Sequence, residues 1–381
     1  MIDAENYHRL SGEIGDCVRE DRAMLDQLRS EIRPLAHQVR RIQPRSTTSI
    51  AVVGTDGGNN RVQFDPFLIQ IIRVVDSSNN EYCLEAVTPS TNLAALSAAQ
   101  FSTDGSPQTA LGRMMAFLNV RHLAELSDMI HVDGQGRAMS PSWIRIYREL
   151  VEWAVLFSVV REKEFGTDTI IVYDGLLRSI VFSGNLFQHY LDGLGAAISE
   201  HYRRSRRRIY LAGVAKSSKV LARYRLAMHL ERILATTYPA YVEVPPEVEQ
   251  KAYLWPQYVE DADQREEERQ VVRLAGGRLF FVKFGSGVFD PIWPVDIYQP
   301  QAGEAQTILG CMLADAINGF PVPYYPLCLQ KAHENAAMVD MDFDILQDAI
   351  FDAIRTTFAE DAPELDTFRF QDVDVSQHRY S

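Results

Sequence analysis

The stretch "IIVYDGLLRS", residues 170–179, decides how the chain is read. Its opening run of β-branched and aromatic residues suits a strand covered on both faces. A carboxylate, Asp174, closes that run and glycine follows at once, so Asp174 is either a turn former or a metal ligand. The same pattern occurs in "SIAVVGTDGG", residues 49–58, where Asp56 holds the matching position. A single Asp-Gly pair is a common turn dipeptide. Two such carboxylates at strand ends can meet at one edge of a sheet, where the glycine lets the backbone turn away and leaves room for a substrate.

The flanking sequence extends this into an architecture. After Gly166 come the strand "TIIVYD", a helix from about Gly184 to His201, the strand "RIYLAGVA" and a helix from about Ser218 to Thr236. Such alternation implies parallel strands with helices on their faces. Earlier, 49–55, "RVQFDPFLIQIIRVV" (broken near Pro66) and "EYCLEAV" are separated by short polar turns and predict an antiparallel meander. Helices are expected around 108–130 and from Ser142 to about Glu164, the second started by Ser140, Pro141 and Ser142. The fold class is therefore α/β, a mixed sheet flanked by helices.

Residues 5–40 place Leu10, Ile14, Val18, Leu25, Leu28, Ile32, Leu35 and Val39 at helical spacing. They predict an N-terminal helical extension over 1–45 that packs on its own domain or zips to another subunit, ahead of a main domain at 46–381. Within that domain, the acidic stretch near 237–265 reads as a surface insertion. Strands "GRLFFVKFG" and "WPVDIYQ", helices near 302–317, 327–338 and 343–357, and a polar tail complete the chain.

Composition excludes several classes. Of the 381 residues, 46% are hydrophobic and 23% charged, the balance of a folded globular chain rather than a disordered one. The longest apolar runs fall short of a membrane span, and "MIDAENYHRL" has no signal-peptide character, so a cytoplasmic protein is expected. Four scattered cysteines without a CxxC pair argue against a zinc knuckle or disulfide framework. The net charge of −13 argues against a generally basic surface, and the arginine run "HYRRSRRRIY" suits either a solvated helix end or phosphate contacts. No GxxxxGK[ST] motif occurs, so any nucleotide-driven motor has to be a partner.

Three further segments can carry chemistry. "YRELVEWAVLFSVV" offers Glu149 and Glu152 on roughly one helical face. "LAGVAKSSKVLA" places Lys216, Ser217 and Ser218 between a strand and a helix, where backbone N–H groups and an ammonium suit a phosphate. "PYYPLCLQKAHENAAM" brings Tyr325 and His333.

In that order, "VVGTDGG", a helical glutamate, "IIVYDGLL", "AGVAKSSKV" and "YYPLCLQKAH" resemble the NurA nuclease family over about residues 49–340. The resemblance implies a ribonuclease-H-like fold in which Asp56, Glu152, Asp174 and His333 bind Mn2+ or Mg2+, with Tyr325 beside them and Glu149 as the alternative glutamate. DNA contacts are expected from Lys216, Ser217 and Arg178. It also implies a 5′-to-3′ exonuclease and single-stranded DNA endonuclease, a homodimer, and a HerA-type hexameric ATPase partner in DNA end processing, recombination repair or anti-phage defence. The chain departs from the family at Gly58 and Leu176, where serine is usual. The alternative is a non-catalytic DNA-binding or assembly subunit on the same fold.

Overall fold

The computed structural model describes residues 3–54, 61–64, 67–253, 275–338 and 340–358. Helices α1 (Ala4–Glu20) and α2 (Arg22–Ile32) precede a 3-10 turn and the short strand β1 (Arg40–Arg41). Next come β2 (Thr48–Gly54), β3 (Arg61–Phe64), β4 (Phe67–Asp76) and β5 (Glu81–Val87). Helices α3 (Leu93–Ala98), α4 (Ala110–Phe117), α5 (Leu123–Leu126) and α6 (Trp143–Glu162) lead to β6 (Thr169–Asp174). The chain continues through α7 (Leu186–Ser205), β7 (Ile209–Val214), α8 (Lys219–Leu230), β8 (Ala240–Glu243) and α9 (Pro246–Tyr253). Strands β9 (Gly277–Lys283) and β10 (Trp293–Tyr298) precede α10 (Ala305–Ala316), α11 (Leu327–Ala336) and α12 (Asp340–Thr357).

These strands form one ten-stranded mixed sheet in the order β1-β8-β9-β10-β7-β6-β2-β4-β3, with β5 paired to β4. Among the described strands, only β2–β6 and β6–β7 are parallel pairs. Their registers align Thr48 with Thr169 and Thr169 with Ile209, so the three strands start level and their carboxyl ends emerge at one sheet edge. Alternation then sorts the side chains of β6. Ile171 and Tyr173 join the core beneath α4, α6 and α7, while Ile170 and Val172 join the core beneath α10 and α11. A third core holds α2, α8 and α9 against Val242, Leu279 and Phe281 of the outer strands.

Several sequence expectations change in detail. The meander is centred on β4, which pairs antiparallel with β2, β3 and β5. The segment near 108–130 splits into α4 and α5, and Asn119 adopts a left-handed backbone (φ 57°) between them. Helix α8 stops at Leu230, short of Thr236, because Arg232 and Leu234 turn left-handed (φ 55° and 62°) and reverse the chain toward β8. The stretch read as an insertion from 237 begins instead inside the sheet: β8 pairs with β1 and β9, and Tyr241 and Val242 are buried. Residues 254–274 of that stretch, and the polar tail, lie outside the described residues.

The N-terminal extension packs on its own domain through α2. Ile32 and Leu35 enter the third core beside Tyr224 and Met228, and Arg29 and Arg33 pair with Glu231 at 2.7 and 2.8 Å. Among the described helices, none is long and apolar enough to cross a membrane.

At the end of β4, Asp76 is fully buried. It accepts hydrogen bonds from Asn80 Nδ2 (2.8 Å), Tyr82 OH (2.9 Å) and Lys163 Nζ (2.9 Å), which together fasten the β4–β5 turn to the end of α6. Burial alone would raise its pKa, but the bonds from Asn80, Lys163 and Tyr82 outweigh it and the net shift is downward. A carboxyl depressed in the folded state stabilises the fold above its unfolded value of about 4, and that contribution disappears as pH falls through the folded value. Asp76→Asn is therefore expected to cost about 2–4 kcal/mol in urea unfolding at pH 7. The gap to the parent protein should narrow in the same titration at pH 3; a constant gap would remove the carboxylate from the explanation.

Candidate active site

The even-numbered residues of β6 face α10 and α11, and Asp174 continues that alternation at the strand's last position. Gly175 follows with φ +138°, a conformation that side chains resist, and its N–H donates to Val214 O (2.9 Å) on β7. The approach is close enough that a Cβ at Gly213 would stand against Gly175 O, so the Asp-Gly turn and β7 require a glycine on each side.

Helix α11 lies across β2, β4 and β6 and delivers His333 to this corner. His333 Nε2 is 3.1 Å from Asp174 Oδ2, yet it lacks hydrogen-bond alignment, and among the described residues no partner satisfies it. Tyr325, in the loop before α11, directs its hydroxyl to Asp174 Oδ1 at 3.4 Å. Burial, followed by the Asp174 charge, pushes the Tyr325 phenol well up, so it stays a proton donor. Its ring is held edge-on by Trp293 at 4.8 Å between ring centres, and Trp293 Nε1 donates to Tyr324 O (2.8 Å). Trp293 was missed in the sequence because it opens an ordinary apolar strand and belongs to no motif.

From the opposite face, α6 brings both candidate glutamates toward the same strand end. Trp153 of α6 stacks on Tyr173 at 4.5 Å, which fixes the helix against the last turn of β6. Glu149 is engaged: Ser179 Oγ donates to it at 2.7 Å and Trp153 Nε1 at 3.4 Å. Glu152 has only Arg148 Nε, at 3.7 Å, as an ionic partner among the described residues. Burial pushes the Glu152 carboxyl up to about 8 against the opposing pull of Arg148, and the Glu149 and Asp174 charges add to the rise. A carboxyl in that state gains from a nearby cation, which restores its charge.

The donor set of carboxylate oxygens and one unsatisfied imidazole nitrogen fits Mn2+ or Mg2+. Asp174 and His333 are in place, and Glu152 is near enough for the Asp174 charge to act on it. Among the described residues, no three ligating side chains converge closely enough to hold an ion by themselves. Asp56, the remaining expected ligand, lies outside the described residues, as does Gly58; β2 ends at Gly54 beside β6, with Val52 paired to Tyr173.

Lys216 and Ser217 are exposed at the β7–α8 connection, next along the same sheet edge. Ser218 caps α8 by accepting from Leu221 N at 3.0 Å. Leu176 packs against the third core.

Arg178 corrects one expectation. Its guanidinium is buried, binds both Asp296 oxygens (2.6 and 2.9 Å) and also pairs with Glu249, so it is unavailable to a DNA phosphate. The arrangement ties the segment after Asp174 to β10 and α9, reinforced by Gly276 N donating to Leu177 O at 2.7 Å. In the arginine run, Arg203 pairs with Glu200, Arg204 with Glu164 and Arg208 with Glu304 at the surface, while Arg206 adopts the left-handed cap of α7.

No family model matches the chain, and no curated protein matches it. Three solved structures that it resembles are NurA nucleases. One, from Sulfolobus solfataricus, is 12% identical with a TM-score of 0.44, over 94% of this chain and 98% of that one. A NurA structure with manganese is 11% identical, with a TM-score of 0.38, over 90% and 98% of the two chains. A NurA bound to dAMP and manganese is 11% identical, with a TM-score of 0.39, over 89% and 94%. Likenesses this distant leave function to be read from the side chains themselves.

Replacing Arg178 by alanine strands the fully buried Asp296 carboxylate. The expected cost is about 3–5 kcal/mol of unfolding free energy. Urea denaturation measures it, and an unchanged midpoint would mean that the ion cluster does not hold the loop.

Proposed function

We propose that the chain is a metal-dependent DNA nuclease of the NurA type, built on a ribonuclease-H-like sheet. One observation carries the reading: Asp174 meets Tyr325 and His333, about 150 residues further along the chain, at the carboxyl end of a central parallel strand, with Glu152 arriving from the other face. An unsatisfied imidazole nitrogen facing a carboxylate oxygen, beside a glutamate whose charge is disfavoured, is a cluster that a divalent cation stabilises. The order of sequence motifs from Asp56 to His333 supports the same conclusion.

Asp174, Glu152, His333 and Asp56 would hold the ion. When bound, it supplies Lewis acidity toward a phosphodiester and neutralises charge that develops as the ester breaks. The protein's own groups do the rest. Tyr325 donates to Asp174 Oδ1 and orients that carboxylate, an outer contact of the kind that tunes a metal ligand. His333 Nε2, free of a hydrogen bond, either ligates the ion or accepts the proton of the attacking water. Lys216 and Ser217, on the neighbouring strand end, face the phosphates of the bound strand.

The finer reading is a 5′-to-3′ exonuclease that also cuts single-stranded DNA, acting as a homodimer in the cytoplasm. The lack of a P-loop motif in the sequence supports a separate HerA-type ATPase as the source of translocation, in end processing and recombination repair or in anti-phage defence.

End-labelled single- and double-stranded DNA, incubated with the purified protein with and without Mn2+, tests the reading. Asp174→Ala, Asp56→Ala and Glu152→Gln should each lower the cleavage rate by at least about a hundredfold, and Tyr325→Phe by about ten- to a hundredfold. Parent-level cleavage by Asp174→Ala would sink the site. Metal-independent binding without cleavage by the parent protein would favour a non-catalytic DNA-binding subunit.

A further inference from the structure

Beyond the Asp174 corner, the same sheet edge opens into a groove of about 890 Å3. Trp293, the ring packed against Tyr325, is part of its lining. One wall is a face of α8 and the turns that flank it, with Arg225 and His229 on the helix, Lys216 ahead of its Ser218 cap and Arg232 in the left-handed turn that follows. The other wall is the 285–291 loop, which pushes Phe289 outward until it is 81% exposed.

Both walls are anchored by one buried side chain. Lys283, fully inaccessible, donates from Nζ to Thr236 O on the α8 side and to Gly287 O (2.8 Å) on the loop. The loop is closed from within by Asp290, which accepts from Gly287 N at 2.6 Å. A Cβ at Gly285 or Gly287 would collide with the Asp290 carboxylate, so the loop is built around this contact. Among the described residues, Asp290 is the only carboxylate lining the groove, and it is engaged with Gly287 N. Lys216, Arg225 and Arg232 are exposed and form no ion pair with a described residue. The described lining thus combines an exposed aromatic ring with several cations, in a chain whose net charge is −13.

We propose that this groove binds single-stranded DNA and leads its end to the Asp174 corner. A base stacks on Phe289, whose ring lies 5.7 Å from His229, and the backbone crosses Arg225, Arg232 and Lys216. Stacking on an exposed ring needs an unpaired base, and cations spaced along one wall, before, on and after α8, suit a flexible phosphate backbone. Phe289 and the two arginines are DNA-positioning residues, remote from the reacting phosphate. The assignment rests on the nuclease reading for the strand's destination, but binding can be measured without cleavage.

The test is fluorescence anisotropy on the full chain in EDTA, with labelled oligo-dT of about a dozen nucleotides. The same length of duplex and of oligo-rU serve as comparisons. Phe289→Ala, at an exposed position, should weaken oligo-dT binding about tenfold with little effect on its salt dependence, and Phe289→Trp should retain affinity. Arg225→Ala and Arg232→Ala should each flatten the plot of log affinity against log salt by about 0.7. Parent-like affinity in Phe289→Ala, parent-like slopes in both arginine variants, or tighter binding of oligo-rU than of oligo-dT would overturn the proposal. The outcomes separate the two readings. A groove-dependent affinity in a protein that cleaves nothing with Mn2+ leaves the groove standing and removes the nuclease, while Mn2+-dependent cleavage with parent-like binding in every variant removes the groove alone.

Discussion

The parallel pairing of β2, β6 and β7 is the constraint on which the rest depends. Because the strands start level, their carboxyl ends finish together, and everything that crosses from sheet to helix there is brought to one edge. Antiparallel neighbours on both sides extend the sheet without disturbing that edge. Asp174, Lys216 and Trp293 become neighbours through register alone, although more than a hundred residues separate the first from the last.

Strand alternation adds a second level of control. By pointing Asp174 to the α10–α11 side, it commits the carboxylate to Tyr325 and His333, while Tyr173 points the other way and stacks on Trp153. The aromatic stack holds α6 against the strand end, and so holds Glu149 and Glu152 there as well. Glu149 is satisfied by Ser179 and Trp153, which leaves Glu152 as the carboxyl whose state depends on what else occupies the corner. Two buried charge clusters brace the arrangement. Asp76 closes the β4–β5 turn onto Lys163, and Arg178 ties the loop after Asp174 to Asp296 and Glu249. Each pairs a cation with a carboxylate that water cannot reach, Asp76 in one and Asp296 in the other.

The distinction between Arg178 and Lys216 shows where sequence reading stops. Both are cations close in sequence to the ends of central strands. Arg178 falls on a side of the loop that faces Asp296, so its charge is consumed internally; Lys216 falls where the chain leaves the sheet and remains in solvent. Nothing in the local sequence separates these fates, since they depend on a carboxylate more than a hundred residues away. Glu149 likewise owes its Ser179 partner, on the loop after Asp174, to the fold.

By itself, the sequence determined the elements and their kind: the apolar runs ending in Asp-Gly, the alternation that demands parallel strands, and the amphipathic N-terminal helices all follow from short-range periodicity. It also marked Asp174, Tyr325 and His333 as candidates through their order along the chain. Only the tertiary structure decided which groups meet. Strand register, side-chain parity and the pairing of buried charges are long-range properties, and they turned α8 and the 285–291 loop into two walls of one groove, joined by Lys283.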